Sequence, residues 1–135
     1  MLNGIHSVLI WTEDVSRLVP FYRDILGLKT FVETEEFAVF PLDGIGLRIG
    51  KHSDVEGRSR EPLRLMINFR VEDCQAEYER LAAQGVEFIR RPSHDAIHIV
   101  ATLPDPDGNV VQLMQDLVSL ADLMAAAEHE TRAEA

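Results

Sequence analysis

The sequence predicts an α+β fold built from two tandem β-α-β-β-β modules. Two observations predict it: strand-like and helix-like segments follow one another in the same order twice, and the same cap and turn residues recur at the same points of both halves. The composition agrees, because 135 residues that are 46% apolar and 27% charged can enclose one hydrophobic core without metals or disulfides. We therefore expect a single domain over residues 1–116 and a C-terminal extension over 117–135.

The first module is predicted over residues 4–50. A β-rich segment at 5–11 is followed by Asp14, a helix N-cap residue, and apolar residues spaced three to four apart then predict a helix that Gly27 ends. Pro20 lies inside this helix and removes one backbone hydrogen bond, which predicts a kink or a poorly formed first turn. Three strands complete the module, at 28–33, 37–42 and 45–49.

The second module is predicted over residues 63–115, after a polar and aperiodic linker at 51–62. Apolar and polar residues alternate over 63–71, which is the pattern of a strand that packs one face on a core. Asp73 then caps a second helix, and Gly85 ends it. The predicted apolar face of that helix consists of Cys74, Tyr78, Leu81 and Ala82. Three further strands are predicted at 86–90, 97–103 and 110–114.

The two modules can be superposed on their own markers. The matching pairs are Glu13-Asp14 with Glu72-Asp73, Gly27 with Gly85, and Asp43-Gly44 with Asp107-Gly108. In this register Ser7 corresponds to Met66, and Arg48 corresponds to Gln112. Residues at corresponding strand positions of the two modules can therefore be compared.

The C-terminal extension is predicted to form a short amphipathic helix from Ser119 and a frayed polar tail from Glu128 to Ala135. Its apolar positions are Leu120, Leu123, Met124 and Ala127. Because its polar end is acidic, we expect this helix to pack on its own domain or on a partner subunit and not on a membrane.

Charge and composition exclude several classes of function. Thirteen Lys and Arg against 23 Asp and Glu give a formal net charge of −10, which opposes nucleic-acid binding. No apolar stretch approaches the ~20 residues that span a bilayer, so no membrane contact is expected. The lone Cys74 cannot form an intrachain disulfide and the N-terminus has no basic-then-apolar leader, which favours a cytoplasmic protein.

Two motifs carry a family resemblance. Residues 21–28, FYRDILGL, resemble the FYxxxLG segment of the vicinal oxygen chelate superfamily of glyoxalases, bleomycin resistance proteins and extradiol dioxygenases, and residues 105–109 resemble its DPDGN turn. With the duplicated module order, the resemblance covers about residues 4–115. It implies a curved, cup-shaped mixed sheet with helices on the convex side and ligand on the concave side, and often a homodimer whose cups are completed by two chains.

The resemblance also implies where a metal would be held, since family metalloenzymes carry His, Glu or Gln ligands at four positions inside the cup. Here these positions are Ser7, Arg48, Met66 and Gln112, of which only Gln112 is a plausible ligand, and a fixed cation at Arg48 opposes a divalent ion. The sequence therefore predicts a member with a degenerate metal site and no metal cofactor. A one-residue shift of register is the alternative, and it would place His6 inside the cup as a ligand of a divalent metal.

Strand alternation predicts the residues that line a metal-free cup. The predicted ligand-binding residues are Ser7, Trp11, Arg48, Met66, Asn68 and Gln112. Arg48 could bind a carboxylate or phosphate through two hydrogen bonds, and Trp11 could stack on a planar ring. Two structural alternatives stay open: Trp11 could close the end of the core, and Arg48 could be paired with Glu33 or Glu35.

The predicted function is metal-independent binding of a small molecule, which is anionic or aromatic. The alternative is a glyoxalase-like lyase, isomerase or dioxygenase, either metal-free or with a weak divalent metal site. A metal-free enzyme needs a general acid or base in the cup. The candidates for that role are Tyr22, His94, Asp95 and His98.

Overall fold

The computed structural model describes residues 1–134, and their strands form two four-stranded mixed sheets. The predicted α+β class is confirmed. Two groups of residues form separate compact units: 1–66 together with 104–110, and 67–103 together with the residues from 111 onward. The turn at 104–110 therefore belongs with the first half of the chain, although the second half supplies it.

The first sheet has the strand order β1-β4-β3-β2. Strand β1 runs parallel to β4, whereas β3 is antiparallel to both of its neighbours. The elements are β1 (Ser7–Thr12), α1 (Val15–Pro20), a π-helical turn (Phe21–Ile25), β2 (Val32–Glu33), β3 (Phe37–Leu42) and β4 (Ile45–Lys51).

The second sheet repeats this topology in the order β5-β8-β7-β6, with β5 parallel to β8 and β6 antiparallel to β7. Its elements are β5 (Ile67–Arg70), α2 (Cys74–Ala83), β6 (Arg90–His94), β7 (His98–Pro104) and β8 (Val110–Asp116), and α3 (Leu120–Glu134) follows them. Leu9 pairs with Arg48 in the first sheet and Asn68 pairs with Gln112 in the second. These pairings agree with the register obtained by superposing the two halves of the sequence.

Caps and glycines delimit the two predicted helical segments, the first of which consists of α1 and the π-helical turn. The carboxylates of Asp14 and Asp73 accept backbone N–H groups of the first turns of α1 and α2 at 3.0 Å. Gly27 and Gly85 adopt φ of 86° and 91°, the left-handed conformation that favours glycine after a helix. Pro20 is the last residue of α1, and the chain continues as a π-helical turn. The irregularity that Pro20 was predicted to cause therefore lies directly after the proline and not in the first turn of the helix.

Two predicted strands are wrong in extent because the ends of the preceding helices use their backbone groups. The N–H of Leu28 bonds to the carbonyl of Tyr22, and the N–H of Val86 bonds to that of Leu81. Hence only Val32–Glu33 of the predicted strand 28–33 forms a strand. The predicted strand 86–90 is replaced by β6, which begins at Arg90.

The start of the second module and the C-terminal tail also differ from prediction. Leu65 was expected to face the core but is 87% exposed, because the chain turns at Glu61–Arg64 and pairing begins only at Ile67. Ala82 on α2 is exposed too. Helix α3 continues to Glu134 through most of the predicted frayed tail, whose last residue, Ala135, lies outside the described residues. Across residues 1–134, no helix is long and apolar enough to cross a membrane.

The two family motifs are hydrogen-bonded to one another in the first unit. The buried hydroxyl of Tyr22 donates to Asp105 Oδ2 at 2.7 Å, and Asp105 also accepts the backbone N–H groups of Asp107 and Asn109 at 2.9 Å. Arg17 on α1 donates from Nε to Asp107 at 2.8 Å. The turn at 104–110 is thus anchored on α1 and the π-helical turn.

Candidate functional site

The candidate site is the open face of the first sheet, which we define by Leu9, Trp11, Phe37, Val39, Arg48 and Gly50. Two rows of paired residues cross this face, Leu9–Arg48–Val39 and Trp11–Gly50–Phe37. The residues that alternate with them, Ile10, Leu47 and Ile49 among others, are buried in the core, and α1 lies against β4. Leu9 and Trp11 are each 43% exposed, so this face is accessible within its unit.

Two aromatic rings converge over Gly50. A Cβ atom at this position would lie 2.7 Å from Trp11 Cζ3 and 3.4 Å from Phe37 Cδ2. The first distance is a steric clash, so the Trp11 ring can lie across β4 only because residue 50 has no side chain. The rings of Trp11 and Phe37 thus lie side by side on the open face, and we call these two rings the aromatic floor.

Arg48 lies beside this floor without an acidic partner. Its guanidinium carbon is 4.9 Å from the centroid of the Phe37 ring, and the side chain is half-buried. Among residues 1–134, no carboxylate lies within ion-pair distance of it. Glu33 instead pairs with Arg23 at 2.6 Å, so the alternative that Arg48 is neutralised by Glu33 or Glu35 is wrong.

His52 extends the same row of side chains and was missed by the sequence analysis. Its ring meets Trp11 edge-on, with centroids 5.2 Å apart and an angle of 69° between the planes. The predicted strand ended at residue 49, whereas β4 continues to Lys51 and the N–H of His52 bonds to Thr12 at 3.1 Å. Alternation continued past Ile49 from Arg48 would have placed His52 on the open face.

The remaining predicted site residues lie on the second sheet or before it. Asn68 is exposed on β5 beside Gln112, whose Nε2 donates to Thr102 Oγ1 at 3.1 Å. Met66 precedes β5 and is 37% exposed. The first sheet thus groups Ser7, Trp11 and Arg48, and the second groups Asn68 and Gln112.

The donors at the four family metal positions do not fit a divalent ion. A serine hydroxyl, a thioether, one amide and a guanidinium supply neither carboxylate nor imidazole, and Arg48 adds a positive charge. His6 lies before β1, exposed, with Nδ1 3.0 Å from Ser7 Oγ. Within the described 134 residues, no group of three His, Cys, Asp or Glu side chains is arranged to hold a metal.

The acid–base candidates have different environments. Tyr22 is fully buried against Asp105, and burial raises the pKa of its hydroxyl well above the usual range. His98 on β7 lies between two carboxylates, with Nε2 3.5 Å from Asp116 and Nδ1 3.7 Å from Asp95. The backbone N–H groups of Ile97 and His98 lower the pKa of Asp95. His94 is exposed on β6.

Each of the two sheets is built from a β-α-β-β-β module, and this repeated module defines a class of protein. The family model of the Glyoxalase/Bleomycin resistance protein/Dioxygenase superfamily matches residues 4–113, and the chain belongs to that superfamily. The predicted family is therefore confirmed.

Individual relatives add detail. Metallothiol transferase FosB of Staphylococcus saprophyticus is 29% identical over 118 residues, which cover 84% of this chain and 77% of FosB. A glyoxalase/bleomycin resistance protein/dioxygenase from Nocardioides has the same fold with a TM-score of 0.67, 22% identity and coverage of 87% and 85% of the two chains. TnmS3, an antibiotic binding protein from Streptomyces sp. CB03234, has a TM-score of 0.70, 20% identity and coverage of 85% and 97%.

Proposed function

We propose that this protein binds an anionic aromatic small molecule on the open face of the first sheet, without a metal. The observation that carries the proposal is the half-buried guanidinium of Arg48, which has no acidic partner among residues 1–134 and lies over the Phe37 ring, on the face that also carries the exposed ring of Trp11. Keeping a cation partly out of water is costly unless an anion compensates it, and no side chain among the described residues supplies that anion. A ligand carboxylate or phosphate would accept two hydrogen bonds from the guanidinium, and the ligand ring would pack on the aromatic floor.

One of the proteins that share the fold is compatible with binding without catalysis. TnmS3 is an antibiotic binding protein, and it shares the fold with this chain. Such a role requires a surface of apolar walls with few polar groups, which is what the open face presents. It requires no general acid or base beside the ligand.

The Arg48 proposal is tested by calorimetry with 2-naphthoate and its uncharged analogue 2-naphthamide. The chain contains one tryptophan, so quenching of its fluorescence reports binding at Trp11. We expect naphthoate to bind more tightly than naphthamide, and Arg48→Met to lower naphthoate affinity by about 2–5 kcal/mol, as when one member of a buried charge pair is truncated.

Lys51→Met is the matched control, because it removes one positive charge from the same strand at an exposed position outside the aromatic rows. Its affinity for naphthoate should stay at the wild-type value. If Arg48→Met unfolds the domain or binds naphthoate as tightly as the wild type, Arg48 has a structural role and the proposal fails.

A metal-dependent transferase is the second candidate, favoured by the 29% identity to a metallothiol transferase. The side chains of Ser7, Arg48 and Met66 oppose it. Protein exposed to Ni, Zn, Mn or Fe and then desalted should retain well under one ion per chain. Stoichiometric retention that His6→Ala abolishes would favour the enzyme and contradict metal-independent binding.

We also propose that the protein is a homodimer in which α3 contributes to the interface. None of the described residues of α3 is buried within the chain, and Leu120 and Met124 are 64% and 57% exposed. Leu117, which precedes the helix, is 46% exposed. An apolar stripe of this kind has a lower free energy when a second copy covers it than when water does.

A further inference from the structure

We propose that His52 is the second polar contact of the ligand, an N–H donor at the opposite end of the aromatic floor from Arg48. The preferred ligand is then a planar aromatic acid with its anionic group at one end and a hydrogen-bond acceptor at the other. This inference rests on the proposed function. It adds His52 as a second contact residue and the distance between His52 and Arg48 as a constraint on the ligand.

The first step is the position of His52 along β4. Residues 48, 50 and 52 alternate onto the same side of the strand, and the edge-on contact with Trp11 confirms that the imidazole lies on the open face. Four residues of strand separate the Cα atoms of Arg48 and His52 by roughly 13 Å. The rings of Trp11 and Phe37 both lie next to Gly50, which is between them in the strand.

The second step is the protonation of the imidazole. Nδ1 of His52 accepts the backbone N–H of Asp54 at 3.0 Å. An accepting nitrogen carries no proton, so the neutral ring carries its proton on Nε2. His52 therefore offers one N–H donor, and Nε2 takes no partner among the described residues.

The third step is the rigidity of this donor. The backbone N–H of His52 bonds to the carbonyl of Thr12, the ring edge packs on Trp11, and Nδ1 is held by the turn at Asp54. A donor held in place loses little conformational entropy when a ligand binds, so a single hydrogen bond contributes more of its free energy to affinity. A donor fixed at this distance from the Arg48 strand position thus selects ligands by length.

The probes are 2-naphthoate, which carries one carboxylate, and naphthalene-2,6-dicarboxylate, which carries a second carboxylate at the far end of the same ring system. We expect the dicarboxylate to bind the wild type about tenfold more tightly, a ratio that corresponds to ~1.4 kcal/mol. His52→Phe keeps an aromatic ring beside Trp11 and removes the donor, and it should abolish this ratio. His52→Gln restores an N–H donor and should recover most of it.

His94→Phe is the control, because this exposed histidine lies in the other unit, and it should leave the ratio unchanged. A tenfold ratio that persists in folded His52→Phe overturns the inference. Nitrogen NMR of the histidine rings gives a second test that needs no substitution: a proton on Nδ1 of His52 in the free protein also overturns it.

The two proposals fail in different ways. If naphthoate binds and Arg48→Met weakens it, but the dicarboxylate has no advantage, the role of His52 is wrong and the proposed function stands. If neither compound binds the wild type, the proposed function is contradicted and the inference falls with it.

Discussion

Residue 50 is a glycine, and a Cβ atom at this position would clash with the Trp11 ring. A Cβ there would lie 2.7 Å from Trp11 Cζ3, so it can be accommodated only if the indole moves; the other neighbour, Phe37, lies at 3.4 Å on β3. The conformation of the aromatic floor thus depends on one missing methyl group.

We predict that Gly50→Ala displaces the Trp11 ring and weakens naphthoate binding without preventing folding. The single tryptophan makes the displacement measurable as a change in fluorescence intensity and emission maximum. Gly46→Ala is the control, since a Cβ there meets its nearest neighbours only at 4.0 Å, in ordinary contact. Identical spectra of Gly50→Ala and the wild type would show that the ring does not lie over residue 50.

Among the elements, the turn at 104–110 and the helical segment at 15–25 stabilise one another. The contact depends on a phenol and a carboxylate that are both buried, and burial raises the pKa of Asp105. Buried polar groups of this kind are stable only while they stay hydrogen-bonded to each other.

We predict that Tyr22→Phe lowers the free energy of unfolding by about 1–3 kcal/mol, because it deprives a buried acceptor of one partner. Urea denaturation measures the change. Tyr78→Phe is the control: the Tyr78 ring packs edge-on against Phe88 at 4.7 Å, and among the described residues its hydroxyl has no hydrogen-bond partner. Equal stability of the two variants would mean that the bond to Asp105 contributes nothing net.

At the scale of the whole molecule, the exposed apolar face of α3 predicts a partner subunit. We predict that the protein sediments as a dimer at micromolar concentration and that Leu120→Asp with Met124→Asp converts it to a monomer. Burying two carboxylates in an apolar interface costs more than the contacts there supply. Ala126→Asp, at an exposed position off the predicted apolar stripe, should leave the dimer intact. A wild-type monomer would contradict this arrangement.

The sequence by itself determined what depends on neighbours along the chain. Strand alternation, the N-caps at Asp14 and Asp73 and the left-handed glycines after α1 and α2 each involve groups a few residues apart, so they are visible in one dimension. The same alternation predicted that Arg48 leaves the core, and the family motifs predicted the fold that the structure confirms.

Only the tertiary structure decided which distant groups meet. Tyr22 and Asp105 are 83 residues apart, and no local pattern links them. Whether Arg48 was neutralised depended on Glu33, which pairs with Arg23 instead, and His52 was recognised only once β4 was seen to extend past residue 49. The reason is physical: periodicity fixes the direction in which a side chain points, whereas its partner is set by the strand or helix that packing brings beside it.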